Sequence, residues 1–438
     1  MVADFRNENP SGGELRTEGK RMSILKKWVW GDSPVVPSKG PTKTVFLHIP
    51  KAAGSSFNLF LEKLHEPGRS HILGDYFNEK ILQDSRATLF SAHMFYEEIA
   101  HKLAGDPVYL TFLREPLDRA LSHYYFLKLD SVAREFEANK SNYGGERFEL
   151  GTGLIEKARR LSLLEFLRSE KDLNQITIAN LQTKMLGGSN DCSQVTEQEF
   201  QRAKDNLEKF FFVGLVEKMA QSQDEFCRLC QLPKILPEKT NTNSERNKLS
   251  DEPAEAVRLL TEANRYDLEL YRFAQELFEV QKKKPSREVY PLSPASNFTL
   301  DRPFLGQGWH PREQAGPSWV CWSGPGATSW LELSSDLAGA ATLLCNFRFA
   351  IHEDVIAGLK VTVNDQVLDH RILRLGQRLT LRARVPESVM AGANGRVRIA
   401  FHSTALFAPK DLDPQSPDKR KLGFALESLR LEPSSIWS

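Results

Sequence analysis

Three short stretches gather the side-chain types that handle anions and protons. The first, HIPKAAGSS (48–56), follows an apolar run and precedes an amphipathic one. Pro50 ends the apolar run, Lys51 offers a point charge on a long stem, and Gly54 lets the backbone approach a ligand closely. Ser55 and Ser56 then open a helix, where free N–H groups and the positive end of the dipole attract an anion. Lys51, Ala52, Ala53, Gly54, Ser55 and Ser56 therefore read as one candidate phosphate loop. The second stretch, FLREPLDRALSHYYF (112–126), sets Arg114 at a strand end, Pro116 in a first helical turn and Ser122 on the helix that follows. Arg114 can form charge-assisted, bidentate bonds to a second phosphate, and Ser122 can donate to the same group. The third, LFSAHM (89–94), carries His93 just past an apolar run. An imidazole there suits proton abstraction at neutral pH.

Each stretch also has a plain reading. A serine can simply cap a helix, an arginine after a strand can pair with a carboxylate, and a histidine at a strand end can be hydrogen-bonded in place. The plain cap does not require Lys51. The loop is also not a Walker A sequence, which needs Gly-x-x-x-x-Gly-Lys-Ser/Thr and puts magnesium on its last residue. Here Lys51 precedes Gly54. A dinucleotide fingerprint needs three spaced glycines, and one is present. The loop suits a phosphate that needs no metal.

The elements that must hold these residues are short apolar runs alternating with helical patterns. TVFLHI (44–49), ATLFSA (87–92), VYLTFL (108–113) and FFFVGL (210–215) read as buried parallel strands. Phe57, Phe60, Leu61 and Leu64 fall at helical spacing after the first, and Leu117, Leu121 and Tyr124 after Pro116. The expectation is a three-layer α/β/α domain with a mainly parallel sheet over residues 42–284. His48 is expected to pack within its strand, and His123 on another face of its helix. Residues 285–300, with their charge run, prolines and serines, read as a linker. From 301 to 438, alternating strands separated by Gly, Pro and Asn-Asp signals, without helices between them, read as a β-sandwich, with a hairpin tip at Asn364-Asp365.

The totals narrow the class. At 438 residues the chain can hold two cores, and a net charge of +1 gives no global reason to expect nucleic acid. Five sparse cysteines read as reduced thiols and a cytoplasmic protein, with Cys227 and Cys230 as helical core packing. No apolar run is long enough to span a bilayer, while peripheral membrane association stays open. Residues 1–41 are polar, lack a signal-peptide core and read as a flexible lead. Trp309, Trp319, Trp322 and Trp330 crowd the start of the second half. They suit either a sugar-stacking surface or the sandwich core, and core packing is the reading adopted.

HIPKAAGSS and FLREPLDRALSHYYF, in this order and about 60 residues apart, together resemble the two donor-binding segments of sulfotransferases of the polysaccharide type, such as heparan sulfate 2-O-sulfotransferase. LFSAHM, NLQTKMLGG (180–188) and FFVGLVEKM extend the resemblance over about residues 42–280. The resemblance implies 3′-phosphoadenosine-5′-phosphosulfate (PAPS) as donor, PAP as product, and a carbohydrate hydroxyl, in a polysaccharide or glycolipid, as acceptor. It implies that Lys51 to Ser56 hold the 5′-phosphate, that Arg114 and Ser122 hold the 3′-phosphate, and that Lys51 also stabilises the leaving bridging oxygen, with no metal. It makes His93 the general base, with Glu62 in reserve, because other branches use a glutamate from the first helix. Ser91 stands where relatives tend to carry a second histidine. Ser91, Asn180, Gln182 and Lys184 match stretches near the acceptor. KTNTNSER (239–246) reads as a lid over the donor or a polar surface loop. The tryptophan-rich start of the second half, together with DKRKLGFALESLRL, resembles an accessory β-sandwich of bacterial glycan-modifying enzymes, which points to a bacterial source. The rival readings are a P-loop nucleotide or small-molecule kinase and a non-catalytic glycan-binding protein. Oligomeric state cannot be read from these residues.

Overall fold

A computed structural model describes residues 43–434, except 74–78, 101, 104, 143–144, 170–177, 189–193, 236–245, 377 and 393. The polar lead (1–41) and most of KTNTNSER lie outside the described residues. In the first half, β1 (Thr44–Leu47) leads through a loop into α1 (Gly54–Lys63), and β2 (Ser70–Ile72) and β3 (Leu89–Ala92) follow, then α2 (Tyr96–Ile99). β4 (Val108–Leu113) runs into α3 (Pro116–Leu127), then α4 (Asp130–Ala138), α5 (Gly145–Arg160), α6 (Leu163–Ser169), α7 (Leu181–Gly187) and α8 (Glu197–Leu207). β5 (Phe212–Leu215), α9 (Met219–Leu229), α10 (Ala254–Ala263) and α11 (Arg265–Gln281) complete it.

The five strands form one sheet in the order β2-β3-β1-β4-β5, and every pairing is parallel. β1, β3 and β5 are fully buried, as apolar strands covered on both faces should be. Phe57, Phe60 and Leu61 on α1 and Leu64 at its end press into the core as their spacing predicts. Phe57 stands edge-on to Phe46, Phe112 and Phe226 and stacks on Phe212, so α1 is fixed against three strands at once. One consequence positions the site. β3, β1 and β4 are neighbours in register, Leu47 opposite both Ala92 and Thr111, so the segments leaving their carboxyl ends emerge together.

The second half is built from antiparallel strands. A five-stranded sheet runs β13 (Gln366–Leu368), β12 (Lys360–Val363), β16 (Arg396–His402), β10 (Thr328–Ser334), β7 (Leu305–Gln307). A seven-stranded sheet runs β14 (His370–Leu375), β15 (Arg378–Val385), β11 (Ala341–Ala350), β17 (Phe424–Pro433), β9 (Ser318–Trp322), β8 (Glu313–Ala315), with β6 (Phe298–Thr299) beside β17. Both sheets feed one apolar core, from Leu331, Val361 and Phe401 on one side to Leu343, Leu381 and Leu429 on the other. Asn364 and Asp365 take positive φ at the tip between β12 and β13, where a two-residue hairpin turn demands it. The helix-free reading needs correction: one-turn helices at Glu353–Ala357 and Glu387–Ala391 bridge strands. Trp309 is 4% exposed, packs edge-on to Phe401 and Phe424, and donates Nε1–H to the Trp330 carbonyl. Trp319 packs against the same core and Trp322 stacks on Phe349. None of the four stands exposed on the surface.

The stretch read as a linker is packed. Val289, Tyr290, Ala295 and Phe298 are buried, and the Tyr290 hydroxyl meets Thr44 Oγ1 at 2.9 Å, at the start of β1. The second half also grips the far end of α1. Phe304 N–H donates to the Lys63 carbonyl at 2.8 Å, and the half-buried Arg312 guanidinium donates to the carbonyls of Glu62 and His65. A helix leaves its last carbonyls short of partners, and here Phe304 N–H serves that of Lys63 while a neighbouring cation adds a donor to that of Glu62 and to that of His65 just past the end.

Candidate anion and transfer site

The loop after β1 is strained where it bends toward the helix. Lys51 has φ 67° and Ala53, the N-cap of α1, has φ 58°. Left-handed backbone costs roughly 1–2 kcal/mol for a residue with a Cβ, and such strain gathers at functional sites. Ala53 supplies no side-chain cap, and α1 has no acid in its first turn. Ser55 is exposed and Ser56 half-buried, both in that turn. The serine-capped reading is corrected here, since an alanine holds the cap position and the helix start is left to other acceptors.

Gly54 is required for a reason the sequence did not display. A Cβ there would fall 1.8 Å from His48 Nε2. The missing side chain therefore admits an imidazole. The His48 ring stacks on Phe46 and stands edge-on to the His93 ring, 4.6 Å between centroids. His48 thus joins the loop to His93, which sits half-buried just beyond β3.

Lys51 is the focus of the electrostatics. Its Nζ lies 3.9 Å from the Phe126 ring centroid. Burial, with Arg114 and Arg246 nearby, lowers its pKa from 10.5 to about 8. Arg114 reaches the same loop, its Nη1 donating to the Lys51 carbonyl at 2.9 Å. Its other nitrogens engage Asp118, with Nε at 2.9 Å. Arg246 closes on that carboxylate from the opposite chain segment, at 2.8 Å. Two arginines therefore share the Asp118 carboxylate, and Lys51 lies near both of them. Asp118, Ser122 and Phe126 recur every four residues along α3, so Ser122 lies on the face that meets Arg114, Arg246 and Lys51. Arg246 was missed because only the polarity of KTNTNSER was visible, not the carboxylate it would find 128 residues away.

Gln182 sits behind this cluster. Fully buried, it accepts from Arg114 N–H through Oε1 and donates to the Arg114 carbonyl through Nε2, each at 2.9 Å. Asp267 on α11 in turn accepts from the backbone N–H of Gln182 and Thr183 and from the Thr183 hydroxyl. Burial raises the Asp267 pKa, and the buried Arg119 guanidinium opposes that rise. Asn180, in left-handed conformation before α7, accepts from the N–H groups of Tyr266 and Asp267. Lys184 is buried on α7. Ser91 is buried inside β3 and donates to Asn58 Oδ1 at 2.6 Å. Glu62 lies about 12 Å up the axis of α1 from Gly54. There it lines a small cavity with Trp309, His310 and Arg312, at the contact between the two halves. The structure thus brings Lys51 and Arg114 together at the start of α1, with His93 joined to that loop through His48 and Ser122 on the facing side of α3. Asn180, Gln182, Ser91 and Glu62 take up other positions around them.

Among the described residues no group of three or more His, Cys, Asp or Glu side chains is placed to hold a metal ion. No helix there is long and apolar enough to cross a membrane. Cys227 and Cys230 are free and buried, and burial raises both thiols, Cys227 to about 12.

Known proteins are similar to this chain. Uronyl 2-sulfotransferase of Homo sapiens is 24% identical over 215 residues, which covers 45% of this chain and 49% of that protein. The Mus musculus protein of the same name matches equally. Heparin sulfate O-sulfotransferase of Drosophila melanogaster is 23% identical over 270 residues, covering 55% and 73%. The chain therefore spans about half the length of the uronyl 2-sulfotransferases it matches. Among solved structures, a family 35 carbohydrate binding module from Clostridium thermocellum covers 32% of this chain and all of its own at 11% identity and a TM-score of 0.21, too low to carry an argument. Residues 39–274 match the model of the sulfotransferase family, more than half of the chain, so the chain belongs to that family.

Proposed function

We propose that this protein transfers a sulfuryl group from PAPS to a hydroxyl of a carbohydrate. The observation that carries the reading is the meeting of Lys51, Arg114 and Arg246 beside an uncapped helix start, with one carboxylate among them. Such a cluster suits a ligand with phosphates at both ends of its ribose. Relatives named for sulfation of uronyl residues and of heparin sulfate support a carbohydrate acceptor.

In this mechanism the N–H groups at the start of α1, with Ser55 and Ser56, bind the 5′-phosphate. Arg114, Arg246 and Ser122 bind the 3′-phosphate. His93 takes the proton of the acceptor hydroxyl as its oxygen bonds to sulfur. The bond from sulfur to the bridging oxygen breaks on the opposite side, and Lys51 meets the charge that grows on that oxygen. The loop is P-loop-like in its task, although its lysine comes before the glycine. Residues 42–284 carry the transfer in this reading, and 301–438 form a β-sandwich accessory domain. The free, buried thiols agree with a reducing, cytoplasmic setting.

The test is transfer of label from radioactive PAPS to a panel of polysaccharides. The wild type should label an acceptor. His93→Ala should lose transfer by about 100-fold or more, while binding PAP as the wild type does. Loss of PAP binding in His93→Ala, or retained transfer, would contradict the assignment of the base.

A further inference from the structure

The two outer faces of the second half differ in charge. On the five-stranded sheet Glu332 stands directly opposite Arg398 and pairs with it at 3.1 Å. Part of that face is covered, since Trp330 packs against the core of the first half and Arg396 donates to the Gln231 carbonyl at 2.8 Å. The seven-stranded sheet turns the opposite face outward. Along β15, Leu379, Leu381, Ala383 and Val385 are buried while Arg378, Arg382 and Arg384 are exposed. Arg371 on β14 stands directly opposite Arg382, and Leu344 on β11 stands opposite both Arg382 and Arg430 of β17. One row across four strands therefore reads Arg371, Arg382, Leu344, Arg430. Glu427 pairs with Arg378 at 3.6 Å and Glu432 with Arg430 at 3.1 Å. Arg371, Arg382 and Arg384 have no ion pair among the described residues.

Like charges directly opposite each other destabilise a sheet. The chain as a whole holds 58 basic and 57 acidic residues, so the row is a local excess. Strands lie about 4.8 Å apart, which puts Arg430 about 10 Å from Arg382 and Arg371 about 5 Å on the other side. Beside the row runs a polar ladder: Thr380 Oγ1 donates to Asn346 Oδ1, and Asn346 Nδ2 donates to Ser428 Oγ, both at 2.9 Å. Guanidinium forks at repeated spacing bind carboxylates or sulfates, and the ladder offers partners to hydroxyls. A single-stranded nucleic acid would call for exposed aromatic platforms, and duplex DNA for an element that enters a groove. Among the described residues this face carries neither.

We propose that the outward face of β14, β15, β11 and β17 binds an acidic polysaccharide through Arg371, Arg382, Arg384 and Arg430. The proposal rests on the carbohydrate-acceptor reading and deepens it. A chain held here raises the local concentration of acceptor for the transfer site.

The test measures binding of hyaluronan, which repeats a carboxylate, to the full chain, with neutral dextran as comparison. The wild type should bind hyaluronan and not dextran, and binding should weaken with added salt. Arg371→Ser with Arg382→Ser should weaken it about tenfold, whereas Lys360→Ser with Lys419→Ser, the same loss of charge elsewhere, should leave it within about twofold. Equal binding by the wild type and the arginine variant would overturn the proposal. So would tighter binding of a DNA duplex or of phosphatidylglycerol vesicles than of hyaluronan. PAP is titrated into the same samples. Lost PAP binding with hyaluronan binding intact would count against the transfer reading alone. The reverse result would count against this surface alone.

Discussion

The two ends of α1 are treated in opposite ways. At its start, Ala53 gives no cap, the backbone is held left-handed at two positions, and cations gather around N–H groups. At its end, Phe304 from the second half serves the Lys63 carbonyl, and Arg312 adds donors to the carbonyls of Glu62 and His65. A helix saturated at one end and open at the other is anchored for stability where it is saturated and prepared for a ligand where it is open. Substitutions at the open end should therefore change binding and transfer, and those at the closed end should change stability.

Lys51→Ala should have the largest effect. Transfer should fall about 100- to 1,000-fold, with the denaturation midpoint unchanged or raised, because the variant no longer buries a charge. A collapse in stability at unchanged activity would reverse the comparison. Arg312→Ala should act at the other end. Removing the guanidinium takes one donor from each of two carbonyls and should cost about 2 kcal/mol in chemical denaturation, while PAP affinity stays within about threefold. A far larger loss of affinity would show that the two ends are coupled.

Gln182→Ala removes both bonds to the Arg114 backbone. PAP affinity should weaken about five- to tenfold, read by calorimetric titration. Ala53→Gly should show the smallest change. Relief of left-handed strain outweighs the extra freedom of glycine in the unfolded chain, so stability should rise by about 0.5–1 kcal/mol, with little change in PAP binding.

The pH dependence sharpens the same contrast. Lys51 is protonated below its lowered pKa of about 8 and loses its charge above it. An anionic ligand binds the charged form better, so PAP affinity should fall as pH rises through about 8. Lys51→Arg keeps its charge across this range, and its affinity should show no such fall. Retention of the step in that variant would assign it to another group.

What could be read along the chain was whatever is encoded locally. Short apolar runs broken by proline and followed by helical spacing specify a strand, a loop and a helix without knowledge of their neighbours, and the change to alternating strands marks the second half. What could not be read was which segments meet. Gly54 looks like a concession to a ligand until His48 is found in the space it leaves. Gln182 resembles an acceptor contact by its stretch, yet both ends of its amide are spent on Arg114, 68 residues away. Arg246 and Arg312 depend on partners 128 and 250 residues distant. The packed stretch 285–300 looked like a linker because its charges and prolines hid Tyr290, whose partner is Thr44 at the other end of the domain.

The central claim, that the start of α1 with Arg114 and Arg246 holds a bisphosphate donor, is tested most directly by titrating PAP into the full chain without magnesium, beside ATP under the same conditions. The expected result is tight binding of PAP, preferred over ATP and strongly weakened in Lys51→Ala. Absent PAP binding, or a preference for magnesium-ATP, would contradict it.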